Sequence, residues 1–258
     1  SNPTANVAEI RFRFQEATEI REVSRAVNAG GHLEIQLTTL FGTWVEGKVG
    51  TLRIASPEPV ASLLLRRTET ERGEKLILAI PRAKPLEFGE EAVIAGLTFG
   101  GGYESELVLV NPHPEEIQGE ISIMDQDGQP ARVAELPERI PYGVEPGDVV
   151  RFRIKSSSLM PETAYVVIRS QTGTELPWTG AVVSLWKDAL LQTETIIPVQ
   201  SRTAMAWIPV DTLPSVIRHG RSPSQMSFAV ANSTRTPALL RFTLFDVNGD
   251  EQGRYEQI

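Results

Sequence analysis

The sequence predicts an all-β fold built from two antiparallel β-sandwiches, one of them discontinuous along the chain. Two observations give the class: apolar segments of strand length recur between turn residues, and helical periodicity is nearly absent. A third gives the discontinuity, because one residue pattern occurs whole in the middle of the chain and in halves at its two ends.

The expected strands run in order. EIRFRF (9–14), HLEIQLTTL (32–40), VGTLRIA (49–55) and EKLILAI (74–80) lie before residue 85. ESELVLV (104–110), GEISIMD (119–125), DVVRFRI (148–154) and AYVVIRS (164–170) follow, with GAVVSLW (180–186) a further apolar run. MSFAVA (226–231) and LRFTLFD (240–246) close the series. Each is rich in Val, Ile, Leu and Phe, and Gly, Pro, Asn or Asp interrupts the chain between them. One modest helix is expected, in VDTLPSVIRH (210–219). Parallel sheets would need long crossover helices, so the strands are expected to pair antiparallel.

The repeat fixes the domain plan. LVNPHPEEIQGEISIMDQDGQP (109–130) returns as VANSTRTPALLRFTLFDVNGDE (230–251), with Asn111 matching Asn232 and Gly128 matching Gly249 at one separation of 121 residues. VNAGGHLEIQL from Val27 matches VEPGDVVRFRI from Val144, and LAIP matches TIIP, both at 117 residues (Gly30 to Gly147, Pro81 to Pro198). A half module, a complete module and another half therefore follow one another. Residues 89–199 are expected to form an inserted complete sandwich, and residues 1–85 with 201–258 a split one. A monomer is expected ahead of a strand-swapped dimer, because closure within one chain has the higher effective concentration. The polar start SNPTANVAEI carries no basic region followed by an apolar run and is set aside from the fold.

Composition narrows the function. The chain has 258 residues, 41% of them hydrophobic and 22% charged, as globular proteins do. A net charge of −8 with thinly spread Arg and Lys argues against nucleic acid as a partner. No apolar run approaches the roughly 20 residues of a membrane-spanning helix. The absence of cysteine excludes disulfides, thiolate metal sites and cysteine nucleophiles.

FGGGYESELVLVNP, MDQDGQP, VEPGD, AYVVIRS and GAVVSLW together resemble uncharacterised tandem β-sandwich repeats of predicted exported bacterial proteins. The resemblance implies an immunoglobulin-like architecture and a secreted or cell-surface setting, and it carries no catalytic residues to transfer.

Candidate sites are few. Asp-Gly at Asp127–Gly128 and Asn-Gly at Asn248–Gly249 read as hairpin turns with positive φ at the glycines. Calcium held by Asp125 and Asp127, or by Asp246 and Asn248, is the weaker alternative, since the remaining ligands of a helix-loop-helix calcium site are missing. FGGGY (99–103) lacks the following helix and Lys of a phosphate loop and reads as a strand connection. His32, His113 and His219 are far apart, and no Gly-x-Ser-x-Gly pattern occurs, so no catalytic residue, metal or cofactor is assigned. Among the aromatics, Trp186 and Trp207 suit burial. Trp44 and Trp178, in Gly, Thr and Pro surroundings, are the candidates for contact with a sugar ring. The leading expectation is a noncatalytic structural or interaction module with a protein or glycan partner. The alternatives are a carbohydrate-binding module and an enzyme whose site assembles from loops.

Overall fold

The computed structural model describes residues 1–80, 91–199 and 229–257, apart from positions 17, 134, 135, 172–174, 188, 233, 235 and 247. Among these residues the structure is almost wholly antiparallel β, in several open sheets with no barrel. The chain divides into two compact units, Ser1–Val210 and Asp211–Ile258. The helix expected at 210–219, Trp207, and most of MSFAVA lie outside the described residues.

The first unit opens with β1 (Ala8–Glu16) and β2 (Glu19–Val27), then the short helix α1 (Leu37–Phe41), β3 (Thr51–Ala55), β4 (Leu64–Glu69) and β5 (Lys75–Ile80). β1 is central in a three-stranded sheet of order β2-β1-β3, and its alternate residues Ala8, Ile10, Phe12 and Phe14 are buried. That alternation is what the period of two in EIRFRF dictates. β2, EIREVSRAV, has no apolar alternation to announce it; it is a largely exposed edge strand whose charges suit an edge. β4 and β5 form a separate two-stranded ladder.

Eight strands follow: β6 (Ala92–Phe99), β7 (Tyr103–Val110), β8 (Ile117–Met124), β9 (Ile140–Val144), β10 (Val149–Ile154), β11 (Glu162–Ser170), β12 (Trp178–Lys187) and β13 (Leu190–Pro198). They form two four-stranded sheets of order β10-β7-β12-β13 and β6-β11-β8-β9. One core joins the sheets, with Leu107, Leu109, Ile154 and Ala181 of the first packed with Ile94, Leu97, Ile121 and Ile168 of the second, all fully buried. This segment is a complete β-sandwich.

In the second unit β14 (Leu240–Phe245) and β15 (Glu251–Gln257) form a hairpin, with Phe242 stacked on Tyr255 at 6.3 Å on one face and Arg241 paired with Glu256 at 2.6 Å on the other.

The matched residues make matched contacts. Gly128 (φ 73°) and Gly249 (φ 88°) both sit in the left-handed region. Asp125 Oδ1 accepts the backbone N–H groups of Asp127 and Gln129, and Asp246 Oδ1 those of Asn248 and Asp250. Asn111, fully buried, donates from Nδ2 to the carbonyls of Glu115 (2.7 Å) and Val144 (2.8 Å), while its Oδ1 accepts the His113 N–H (2.8 Å). Asn232 repeats the local half, donating to Thr236 O and accepting from Thr234 N–H. Asn2, buried in the stretch that the sequence reading set aside, makes the whole set: Nδ2 donates to Asn6 O and Val27 O, and Oδ1 accepts from Thr4 N–H. Even the backbone agrees, with Asn2 N–H on Gly31 O and Asn111 N–H on Asp148 O. Setting SNPTANVAEI aside therefore missed a fold-bearing residue.

HLEIQLTTL departs from its expected strand: residues 32–36 belong to no strand, and Leu37–Phe41 is helical. Its counterpart β10 is a strand because β7 pairs with it. Among the described residues nothing offers HLEIQL such a partner, so the ladder does not form.

Candidate functional site

Four places on the first unit merit attention, beginning with an incomplete sheet. In the complete sandwich β7 lies between β10 and β12: Leu107 faces Phe152 on one side and Ala181 on the other, and Leu109 faces Val150 and Thr179. Residues 117 positions earlier reproduce these flanks. The β4–β5 register, Leu64 opposite Ile80, is that of Ala181 opposite Ile197 in β12–β13. Leu33 and Ile35, the counterparts of Val150 and Phe152, pack on the core formed by β1 and α1, and exposed His32, Glu34 and Gln36 alternate with them. Among the described residues segment 32–37 joins no sheet and β4 pairs only with β5, and Leu63 and Leu65 are 70% and 52% exposed.

The second place is Trp44. Its half-buried ring meets Phe14 edge-on at 5.7 Å, and the Arg21 guanidinium and Lys48 ammonium lie over it, 4.5 and 4.4 Å from the centroid. Lys48 also bridges Glu16 (2.7 Å) and Glu19 (2.5 Å). Its hydrogen bonds lower the pKa of both carboxyls, and they in turn raise that of the ammonium. A sugar stacking on this ring would have to displace those cations.

Trp178, the third, opens β12 opposite Val110 and is likewise half-buried. Its indole Nε1 is buried and, among the described residues, has no hydrogen-bond partner. None of the described ring contacts of Trp44 involves Trp178.

The fourth is a shallow cavity of about 270 Å³ on the outer face of β7, β10 and β12, lined by Trp186, Ser184 and Arg153 among paired charges. Arg151 bonds Glu106 at 2.7 Å, and Arg66 of β4 reaches Glu194 of β13 at 3.5 Å. Trp186 is half-buried here rather than enclosed in the core, a correction to the reading of its apolar neighbours. Trp186 shares the outer face with Ser184 and Val182, two and four residues earlier, so strand alternation itself turns it away from the face that Ala181 and Val183 bury.

FGGGY is the tight connection between β6 and β7, with Tyr103 N–H on Gly100 O. Among the described residues no three His, Asp or Glu side chains are placed to hold a metal ion, and no helix is long and apolar enough to cross a membrane.

No protein-family model matches the chain, and no curated protein or solved structure is significantly similar to it.

Proposed function

We propose that this chain is a noncatalytic structural or interaction segment of an exported or cell-surface bacterial protein, built from tandem immunoglobulin-like modules. The observation that carries the reading is the recurrence of one hydrogen-bond set at Asn2 and Asn111, with its local half at Asn232. The residues that recur along the chain are spent on folding. A catalytic or ligand-binding repeat would instead be expected to recur in exposed polar side chains. The sandwich itself supports a spacer or scaffold role, since stacked modules of this kind present edges and faces to neighbours.

Two experiments test this. Antibody raised against the chain should label intact, unpermeabilised cells of the bacterium that encodes it; labelling only after lysis would contradict export. On a glycan array the purified protein should give no specific signal, whereas a glycan signal abolished by Trp44→Ala or Trp178→Ala would favour the carbohydrate-binding reading instead.

A further inference from the structure

Resting on the modular reading above, we propose that the turn Val144–Asp148 of the complete sandwich is a docking socket, by which the half module at residues 1–80 is braced against the sandwich in one orientation. The socket is held from within: Gly147 N–H bonds Asn111 O (2.8 Å), Asp148 N–H bonds Glu145 O (3.0 Å), and Asn111 Nδ2 bonds Val144 O (2.8 Å). Two side chains of the half module close on it from outside. Gln15, near the end of β1, donates from Nε2 to Pro146 O (3.1 Å), and Thr51, opening β3, reaches Gly147 O from its hydroxyl (3.5 Å). The Gln15 amide lies where a Cβ on residue 147 would stand, so Gly147 serves the docking as well as the positive φ (76°) of the turn.

The counterpart 117 positions earlier separates docking from folding. Turn Val27–Gly31 is built alike, with Gly30 at φ 65°, Gly31 N–H on Asn28 O (2.8 Å) and Asn2 Nδ2 on Val27 O (3.0 Å). Yet Asn28, Ala29 and Gly30 are exposed, and among the described residues nothing stands within 4 Å of a Cβ built on Gly30, whereas Pro146 and Gly147 are half-buried. The cap of Gln15 and Thr51 is therefore no part of what makes the turn. A second contact lies on the ladder: Arg66 Nη2 and Thr68 Oγ1 of β4 each reach the Glu194 carboxylate of β13 at 3.5 Å, and that side chain is only 7% exposed. Its counterpart Ile77 is 62% exposed. Modules that share a small interface reorient by default, and two polar contacts made by different strands oppose that freedom.

The absence of cysteine permits a direct test on the full chain with two spin labels. Ser24→Cys on the exposed strand β2 and Ser157→Cys in an exposed loop of the sandwich put one label on each module. Pulsed electron–electron resonance should then give a single narrow distance distribution. Gly147→Ala should widen it about twofold, while Gly30→Ala, which meets the same demand for positive φ without a docked side chain, should leave the width unchanged. Gln15→Ala combined with Arg66→Ala, which alters neither the turn nor the sandwich, should widen it likewise while the far-ultraviolet circular dichroism stays that of the parent. The proposal is overturned by a broad distribution in the labelled parent, by a Gly147→Ala width equal to that of Gly30→Ala, or by a narrow distribution in the combined variant. None of these results bears on surface labelling of cells, so failure of the brace and failure of the modular export reading are separable.

Discussion

Replacing Asn111 by alanine probes the contact set on which the modular reading rests. The side chain is fully buried, and the change strips a partner from the Glu115 carbonyl, the Val144 carbonyl and the His113 N–H. The Val144 contact is buried, and an orphaned buried acceptor costs about 1–3 kcal/mol; each of the two part-buried bonds contributes about 0.5–1.5 kcal/mol. The total is on the order of 4 kcal/mol, enough to lower the melting temperature of a domain this size by about 15–20 °C. Asn111→Asp keeps the volume and the acceptor but turns oxygen toward two carbonyls, so it should cost at least as much. Asn2→Ala, which removes the same buried and part-buried set, should cost about as much, and Asn232→Ala, whose bonds are all exposed, should cost under about 1 kcal/mol. Urea unfolding of the three alanine variants, followed by circular dichroism, measures the series. An Asn111→Ala midpoint indistinguishable from the parent, or a cost for Asn232→Ala equal to that of Asn111→Ala, would refute the reasoning.

Three further outcomes are expected. Gly128→Val and Gly249→Val should each destabilise by about 1–2 kcal/mol, because a β-branched residue fits positive φ poorly; no protein atom lies closer than 3.6 Å to the added Cβ, so the cost is one of backbone, and equal stability of both variants to the parent would count against it. Chelator should leave the melting temperature unchanged, since Asp125 and Asp246 are already engaged by backbone N–H groups, and a fall reversed by calcium would contradict that. Glu16 and Glu19 titrate below the ordinary carboxylate range because Lys48 bonds them, so their contribution is present above that range and lost as pH falls through the lowered values. Lys48→Met should therefore lower the urea midpoint near neutral pH and leave it unaltered near pH 2; an equal loss at both would show that packing on Trp44 dominates.

How much was legible in the sequence follows physical lines. Buried strands such as β1 and β7 announce themselves because one face must be apolar, and the Asp-Gly and Asn-Gly turns because positive φ favours so few residues. β2 escaped notice because an edge strand can be charged along its length. Asn2 escaped because a buried asparagine that satisfies backbone looks like any polar residue until its partners are in place. HLEIQL has a strand's pattern without a strand's partner, so propensity alone could not decide its conformation. Of the candidate site residues, Trp44 carries cations from Arg21 and Lys48 over its ring, which no motif in the sequence announces, and Trp44, Trp178 and Trp186 are all half-buried, a likeness their different surroundings in sequence do not suggest.

Cooperative folding of the separate segments is the most direct measure of the modular account. Residues 89–199, carrying both four-stranded sheets and their shared core, should unfold alone in one cooperative transition, while residues 1–85, which lack a counterpart of β7, should expose apolar surface, bind hydrophobic dye and show no such transition. A cooperative, dye-silent transition from residues 1–85 alone, or none from residues 89–199, would contradict it.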